Sequence, residues 1–172
     1  MPALEKNMTR DYSGRTVDLE ILQSTRHPEA SFSSVELSLS SKQPAAVSGI
    51  SKLIQRYTLV FLSLANDINR PFFNIGTSFI SDVLGGARRT SDFLLHSFSF
   101  ANGDTVRQLR REDADWPDTP DDERIAYASL NDMTVDRGTL TLKLVVDISS
   151  LAGNTAKFVV PISYPRIQGG PS

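Results

Sequence analysis

Several residue types and segment types are missing from this sequence or rare in it. The 172 residues include no cysteine and only two histidines. These counts exclude disulfide frameworks and thiolate metal sites, and they leave almost no material for a catalytic triad or a zinc site. The longest apolar runs, such as "YTLVFLSLA", are about half the length that spans a bilayer. We therefore expect no membrane segment, no metal and no cofactor.

The charge balance is also unremarkable. Eighteen Lys and Arg residues stand against 20 Asp and Glu residues, which gives a formal net charge of -2. A chain with this balance has no general electrostatic attraction to nucleic acid or to an anionic membrane. The polar start, "MPALEKNMTRDYSGR", lacks the apolar core of a signal peptide, so assembly in the cytoplasm of the producing cell is expected.

The first part of the chain has the pattern of a β ribbon. "TVDLEILQ" and "SVELSLS" both alternate between apolar and polar residues, and "STRHPEAS" between them has the composition of a turn. Residues 1–15 show no periodicity and are expected to form a tail. We assign residues 1–44 to this tail and arm, and residues 45–172 to the main domain.

A helical region follows the ribbon. In "ISKLIQRYTLVFLSLAND" apolar residues recur every three or four positions, which predicts a core-facing helix with Ser48 as its cap. "TSFISDVLGG" predicts a short second helix. A third is predicted over 90–112, with a break at Asn102 and Gly103 left open.

The carboxy-terminal part predicts a sheet. "RIAYASLNDMTVD", "GTLTLKLVVDISS" and "TAKFVVPIS" are joined by the turns "DRG" and "LAGN", and the middle segment keeps a strict period of two. The predicted fold class is α+β: an amino-terminal β ribbon, two to three helices, and then an antiparallel three-stranded meander. The apolar alternation of its strands also allows them to pair with a strand of another chain, unless the ribbon or a helix covers the sheet edge.

The acidic loop "REDADWPDTPDDER" is the one dense cluster of charge. Crowded carboxylates can supply a general acid and base, but turn-forming aspartates and prolines explain this composition equally. A calcium loop would need a glycine at its sharp turn, which "DADWPDTPDDER" lacks. A solvated loop or a docking site for another protein is the better interpretation.

Three motifs in order resemble a known family. They are "VxGxxKLxQR" from Val47 to Arg56, "PxFxxG" from Pro71 to Gly76 with the following "FISDVLG", and "PDDERI" leading to strands that end in "FVVPIS". Together, over about residues 47–163, they resemble the baseplate wedge and sheath initiator family of contractile phage tails, which has a comparable wedge subunit in type VI secretion systems.

The resemblance implies a non-enzymatic structural subunit of the virion tail baseplate, present in six copies. In the family a Glu-Pro-Arg motif contacts the helical core bundle of other wedge proteins. It corresponds here to Asp122, Glu123 and Arg124, of which only the arginine is identical. The resemblance also implies strand addition by the tail sheath protein, and the amino-terminal arm is expected to contact a tube or hub protein. The candidate residues for strand addition, on 139–148 and 155–163, are Leu140, Leu142, Leu144, Val146, Phe158 and Val160.

Two alternatives stay open. A type VI secretion wedge subunit would share the mechanism and differ in its genomic surroundings. A lysozyme-like hydrolase would need two carboxyl groups about 5 Å apart beside a sugar cleft, and the loop offers the carboxyl groups without an aromatic-lined cleft.

Overall fold

The structure is a computed structural model of the full chain, and it describes residues 18–19, 22–26, 33–37, 46–65, 76–85, 90–136 and 139–163. The three helices are α1 (Ile50–Leu62), α2 (Phe79–Gly85) and α3 (Ser91–Asp115). The strands are β1 (Asp18–Leu19), β2 (Leu22–Arg26), β3 (Ser33–Leu37), β4 (Ala46–Val47), β5 (Ile125–Asp136), β6 (Thr141–Ser150) and β7 (Thr155–Ser163). This order of ribbon, helices and antiparallel meander confirms the α+β class.

The sheet has five strands in the order β2-β3-β7-β6-β5. The meander β5-β6-β7 is antiparallel throughout, as predicted. The ribbon β2-β3 is also antiparallel, and its second strand continues the sheet by parallel pairing of Ser33 with Phe158 and of Ser34 with Val159. The arm therefore shares one sheet with the main domain. Separately, β1 pairs with β4, a short strand that the sequence pattern did not predict.

The core lies between the helices and one face of the sheet. Leu142, Leu144, Val146 and Ile148 of β6 are buried in alternation, whereas Lys143 is exposed, so the middle strand is half-buried as its period of two predicted. The aromatic rings of Phe79 and Phe98 pack against Phe61 at centroid distances of 4.8 and 5.4 Å. Phe61 thus joins all three helices at the centre of the core.

Helix α1 begins differently from the prediction. Its N-cap is Gly49, with a φ of 63°, and not Ser48. No side-chain hydrogen bond caps the helix at this residue. Along the helix Leu53, Tyr57 and Phe61 are buried, in agreement with the predicted stripe. Leu64, which the stripe also included, lies beyond the helix end and is 57% exposed. The burial of Thr58 and Gln55 shows that the side away from that stripe is covered as well.

Helix α3 is continuous through Asn102 and Gly103, which settles the open question of a break. Its buried face consists of Leu94, Ser97, Phe98, Ala101, Thr105 and Leu109. The Asn102 side chain accepts a hydrogen bond from the Tyr57 hydroxyl (2.7 Å) and donates one to the Ala128 carbonyl (2.9 Å). These bonds connect α3 to α1 and to β5, which gives a polar residue in the middle of the helix a structural role.

Tyr57 gives the fold a specific sensitivity to alkali. Its burial raises the pKa of the phenol above the ordinary value of about 10. Because the folded-state pKa is raised, this contribution to stability is complete below about pH 10 and is lost as the pH rises further.

Tyr57→Phe should cost about 1 kcal/mol at pH 7, since the bond to Asn102 is lost. Above pH 10 the wild type should lose about 1.4 kcal/mol of stability per pH unit that the variant does not lose, so the difference should vanish and reverse its sign by about pH 11. Urea unfolding of both proteins at pH 7 and pH 11 measures it, and a constant difference would contradict this role of Tyr57.

Some predictions fall on residues outside the described ranges. They are the tail at 1–15, the turn around Pro28, the turn at Pro71 and Phe73, and most of the "DRG" turn. The end of α2 at Gly85 lies within the described part, and Gly86 does not.

Candidate functional site

The centre of the candidate site is Glu123, a fully buried carboxylate (0% exposed). Its Oε1 accepts a hydrogen bond from the Gly49 backbone N–H (3.0 Å), and its Oε2 lies 3.1 Å from the Lys52 ammonium group. The carboxylate therefore stands at the amino-terminal end of α1, where the helix dipole favours negative charge. Helix α1 has no acidic residue in its own first turn, and Glu123, 74 positions away in sequence, supplies that charge.

Arg56 extends this cluster. Its Nη1 donates to the Glu123 main-chain carbonyl (3.0 Å), and its Nη2 donates to Asp113 Oδ1 (2.9 Å) and Glu112 Oε2 (3.1 Å). Burial alone would lower the pKa of Arg56, but the hydrogen bonds and charges of Asp113 and Glu112 outweigh it and raise the pKa above its ordinary value. The guanidinium group is thus a permanent cation that connects α1, α3 and the acidic loop.

A groove of about 360 Å³ opens beside this cluster. It is lined by Asp18, Lys52, Arg56, Glu112, Trp116 and Thr119. Trp116 is 73% exposed, and the Glu112 side chain is 39% exposed, whereas that of Asp113 is 10% exposed. Of the two carboxylates that accept hydrogen bonds from Arg56, that of Glu112 is therefore the one that a partner's carboxylate could displace.

The segment predicted as the acidic loop begins inside α3, which runs to Asp115, and its remainder, residues 116–124, is a series of turns fixed to the sheet. Glu123 N–H donates to the Pro120 carbonyl (2.9 Å), while Leu151 and Ala152, in the turn after β6, donate to the carbonyls of Arg124 (3.0 Å) and Asp121 (3.1 Å). In the described residues no group of three or more His, Cys, Asp and Glu side chains is arranged to hold a metal ion. The loop presents its charges from a rigid base.

The three residues assigned to the core-bundle contact have different environments. Asp122 is half-buried at the surface. Arg124 has a side chain 22% exposed, which donates to the Pro117 carbonyl and lies 3.6 Å from Asp121 Oδ1. Glu123 is buried inside the chain and cannot touch a partner while the fold is intact, which corrects that part of the assignment. No sequence signal separates Glu123 from the other acids of the loop, because Ser48 offered a cap for α1 and the contact with Gly49 joins residues 74 positions apart.

The strand-addition candidates are corrected as well. Strand β6, with Leu142, Leu144 and Val146, is paired with β5 on one side and β7 on the other, so its backbone has no open edge. Strand β7 is paired with β6 on one side, and its outer side pairs with β3 at Phe158 and Val159. Leu140 precedes β6 and has a φ of 51°, outside extended geometry. The side chains at 142, 144, 146, 158 and 160 are buried in the core.

Within the described residues the sheet has two edge strands, β2 of the arm and β5 of the main domain, and it is on the main domain that β5 leaves an edge open. Two of its carbonyls, at Ala126 and Ala128, accept hydrogen bonds from the Arg110 and Asn102 side chains of α3. Beyond them, over residues 129–136, β5 has β6 on one side and no strand on the other within the described part of the chain. The ladder has irregularities near both Tyr127 and Asn131, of the kind that increase the twist of an edge strand.

Comparison with known proteins gave no match: no family model, no curated protein and no solved structure is similar to this chain. Among the described helices none has the length and apolar character that a bilayer crossing needs.

Proposed function

We propose that this chain is a structural subunit of a contractile phage tail baseplate. In this proposal six copies dock on the helical core bundle of the other wedge proteins, and each offers a sheet edge on which the first ring of the sheath protein begins. The amino-terminal arm contacts a neighbouring tube or hub protein. The mature location is the virion tail, after assembly in the host cytoplasm.

One observation carries the proposal: two motifs that give the family resemblance meet at one buried cluster. Gly49, Lys52 and Arg56 of the "VxGxxKLxQR" motif all contact Glu123 of the "PDDERI" motif. Chance similarity of two short motifs gives no reason for such a meeting. A shared fold does, because a buried ion pair restricts what both segments can change.

The third motif is also tied to the structure. Gly76, the last residue of "PxFxxG", forms two hydrogen bonds of 2.9 Å with the Gln108 side chain of α3, one as donor and one as acceptor. Its φ of 124° lies in a region that side chains rarely adopt. In each of the three motif segments, contacts or backbone geometry in this fold therefore account for the residue type of at least one position.

The surface of the loop is suited to binding a helical partner. Trp116 offers a large exposed ring beside the charged groove, and Arg56 offers a planar guanidinium whose more exposed carboxylate partner, Glu112, is exchangeable. Aromatic and arginine side chains of this kind often dominate the binding energy of protein interfaces. In the proposal Asp122 and Arg124 remain contact residues, and Glu123 holds the loop in position from inside.

Arg124→Ala tests the wedge contact. Its bonds to Pro117 and Asp121 are partly exposed, so the isolated protein should lose only about 1 kcal/mol of stability and remain folded. Co-purification with the core-bundle proteins encoded beside this chain should be lost, and Arg124→Lys should not restore it, because an ammonium group lacks the planar fork. Lys143→Ala, at an exposed position on β6, is the control. Assembly of the alanine variant at wild-type yield would exclude Arg124 from the contact.

The sheath contact is proposed for the open half of β5, residues 129–136. An unpaired edge of this length is a template for another chain's strand, and its irregular ladder restricts pairing to a strand with matching twist. Val135, 42% exposed near the end of β5, is the residue we expect to flank an added strand.

Val135→Lys tests this edge. Lysine on an edge strand discourages pairing, while an exposed substitution of this kind should change stability by no more than about 0.5 kcal/mol. We expect binding of the sheath protein to weaken at least about tenfold, which corresponds to about 1.4 kcal/mol. Thr155→Lys, at the exposed start of β7, is the matched control. Equal sheath binding by the two variants would remove β5 from the proposal.

The two alternatives lead to different observations. A type VI secretion subunit would be encoded beside secretion genes, and a phage subunit beside capsid genes. A hydrolase that used Glu123 would need this carboxylate to reach a substrate, but it is fully buried and contacts Gly49 and Lys52. Cell-wall hydrolysis that Glu123→Gln abolished without unfolding would favour the hydrolase.

A further inference from the structure

The outer side of α3 carries an exposed aromatic stripe that the proposed function does not use. Phe93 is 37% exposed and Phe100 is 63% exposed, with the exposed His96 between them. The rings of His96 and Phe100 touch at a centroid distance of 4.7 Å. Spacings of three and four residues place the three side chains along one line of the helix, away from the buried face.

The same line continues into positive charge. Arg107 and Arg111 follow Phe100 by seven and eleven residues, or about two and three helical turns, and both are exposed. Arg107 forms an ion pair with Asp104 on its own helix, and the two side chains are 74% and 45% exposed. Such surface pairs contribute little and exchange readily for a better partner.

Gly103 lies between the aromatic and the basic parts of this line. A glycine in the interior of a 25-residue helix lowers helix stability by about 1 kcal/mol relative to alanine. Inside the described chain nothing requires it, because a Cβ at this position would meet no atom within 4 Å. A missing side chain here leaves room for another backbone to approach α3 closely.

We propose that Phe93, His96, Phe100, Gly103 and Arg107 form a docking surface, the α3 outer face, for an amphipathic helix of another protein. The partner helix places apolar residues on the aromatic stripe and acidic residues on the arginines, and it crosses closest at Gly103. A second copy of this chain fits less well. Parallel α3 helices would place arginine against arginine, and antiparallel helices would leave both basic ends without acidic partners. This inference does not depend on the baseplate assignment.

The test uses synthetic helical peptides of about 18 residues and the full chain. Each of two acidic peptides carries leucines at helical spacing over two turns and glutamates over two adjacent turns. The leucine half comes first in one peptide and second in the other, so that both orientations of the partner helix are tested. In two basic peptides lysine replaces glutamate. We expect saturable binding of one acidic peptide by fluorescence anisotropy, at least tenfold weaker binding of its basic counterpart, and amide chemical-shift changes confined to residues 93–111.

Two variants locate the contact. Phe100→Ala and Gly103→Leu should each weaken binding of the acidic peptide at least tenfold. Gly103→Leu should at the same time raise the Tm by about 3 °C, since leucine favours helix, so that its loss of binding cannot come from unfolding. Leu95→Ala is the control, because Leu95 is 42% exposed on a different side of the same helix. We expect it to change affinity less than twofold.

Charge reversal completes the design. Arg107→Glu should weaken binding of the acidic peptide and strengthen binding of its basic counterpart. The proposal is overturned if neither acidic peptide saturates, if acidic and basic peptides bind equally, or if Gly103→Leu binds like the wild type. It is equally overturned if the chemical shifts move elsewhere on the protein.

Discussion

Glu123→Ala should lower the free energy of unfolding by about 3–5 kcal/mol, because it removes one partner of a buried ion pair. The Lys52 ammonium group, on a side chain that is 14% exposed, would lose the carboxylate that lies 3.1 Å away. The Gly49 N–H would lose its acceptor at the start of α1. A loss of this size is a large fraction of the stability of a typical domain, so urea unfolding should show a much lower midpoint.

A double-mutant cycle separates the ion pair from the backbone contact. Lys52→Met in the Glu123→Ala background removes the second charge of this ion pair and should recover part of the loss. Asp118→Ala, an exposed carboxylate of the same loop, is the matched control and should change stability by no more than about 0.5 kcal/mol. If Glu123→Ala were as mild as Asp118→Ala, the buried cluster would not be the anchor of the loop.

Gly76→Ala should cost about 3 kcal/mol or more for two reasons that add. The φ of 124° is strained for any residue with a side chain, and a Cβ here would lie 2.6 Å from the Ser63 carbonyl oxygen. That oxygen belongs to the backbone and accepts a 2.8 Å hydrogen bond from the Thr77 N–H, so it cannot move aside cheaply. Thermal unfolding should show a Tm lower by about 10 °C.

Gly103→Ala is the control, because it makes the same chemical change at an ordinary helical position. A Cβ there meets nothing within 4 Å, so alanine should stabilise the protein by about 1 kcal/mol. The two glycine substitutions are therefore expected to have opposite signs. A destabilisation of equal size at both positions would mean that backbone conformation is not what Gly76 supplies.

Much of the fold could be predicted because its strongest patterns are local. The alternation along β6 and the three-and-four spacing of Leu53, Tyr57 and Phe61 follow directly from which side of each element is buried. The antiparallel order of the last three strands follows from short turns. These predictions needed no knowledge of distant contacts.

What the sequence did not reveal depends on residues far apart in the chain. Glu123 looked like one more solvated acid of the loop, and only its distance from Gly49 and Lys52 identifies it as the buried one. Asn102 suggested a helix break, yet its amide holds Tyr57 and Ala128. In both cases a polar residue was interpreted by its local composition, while its partners belong to other elements.

The open sheet edge was misplaced for a related reason. Apolar alternation shows which face of a strand is buried, but it does not show which strands are neighbours. Pairing of Ser33 with Phe158 and of Ser34 with Val159 covers part of the outer side of β7, and α3 side chains occupy the first carbonyls of β5. Only the three-dimensional order of the strands makes β5 the edge strand of the main domain, with 129–136 open.

The parallel pairing of β3 with β7 has a consequence for biosynthesis. The backbone at Ser33 and Ser34 is synthesised before all three helices, but Phe158 and Val159, with which it pairs, are synthesised after them. While translation continues, the ribbon has no sheet to join, and contacts between such distant segments close slowly. A nascent chain halted before residue 158 should therefore leave the ribbon open to proteases and chaperones, and a chain whose β7 has emerged from the ribosome should protect it.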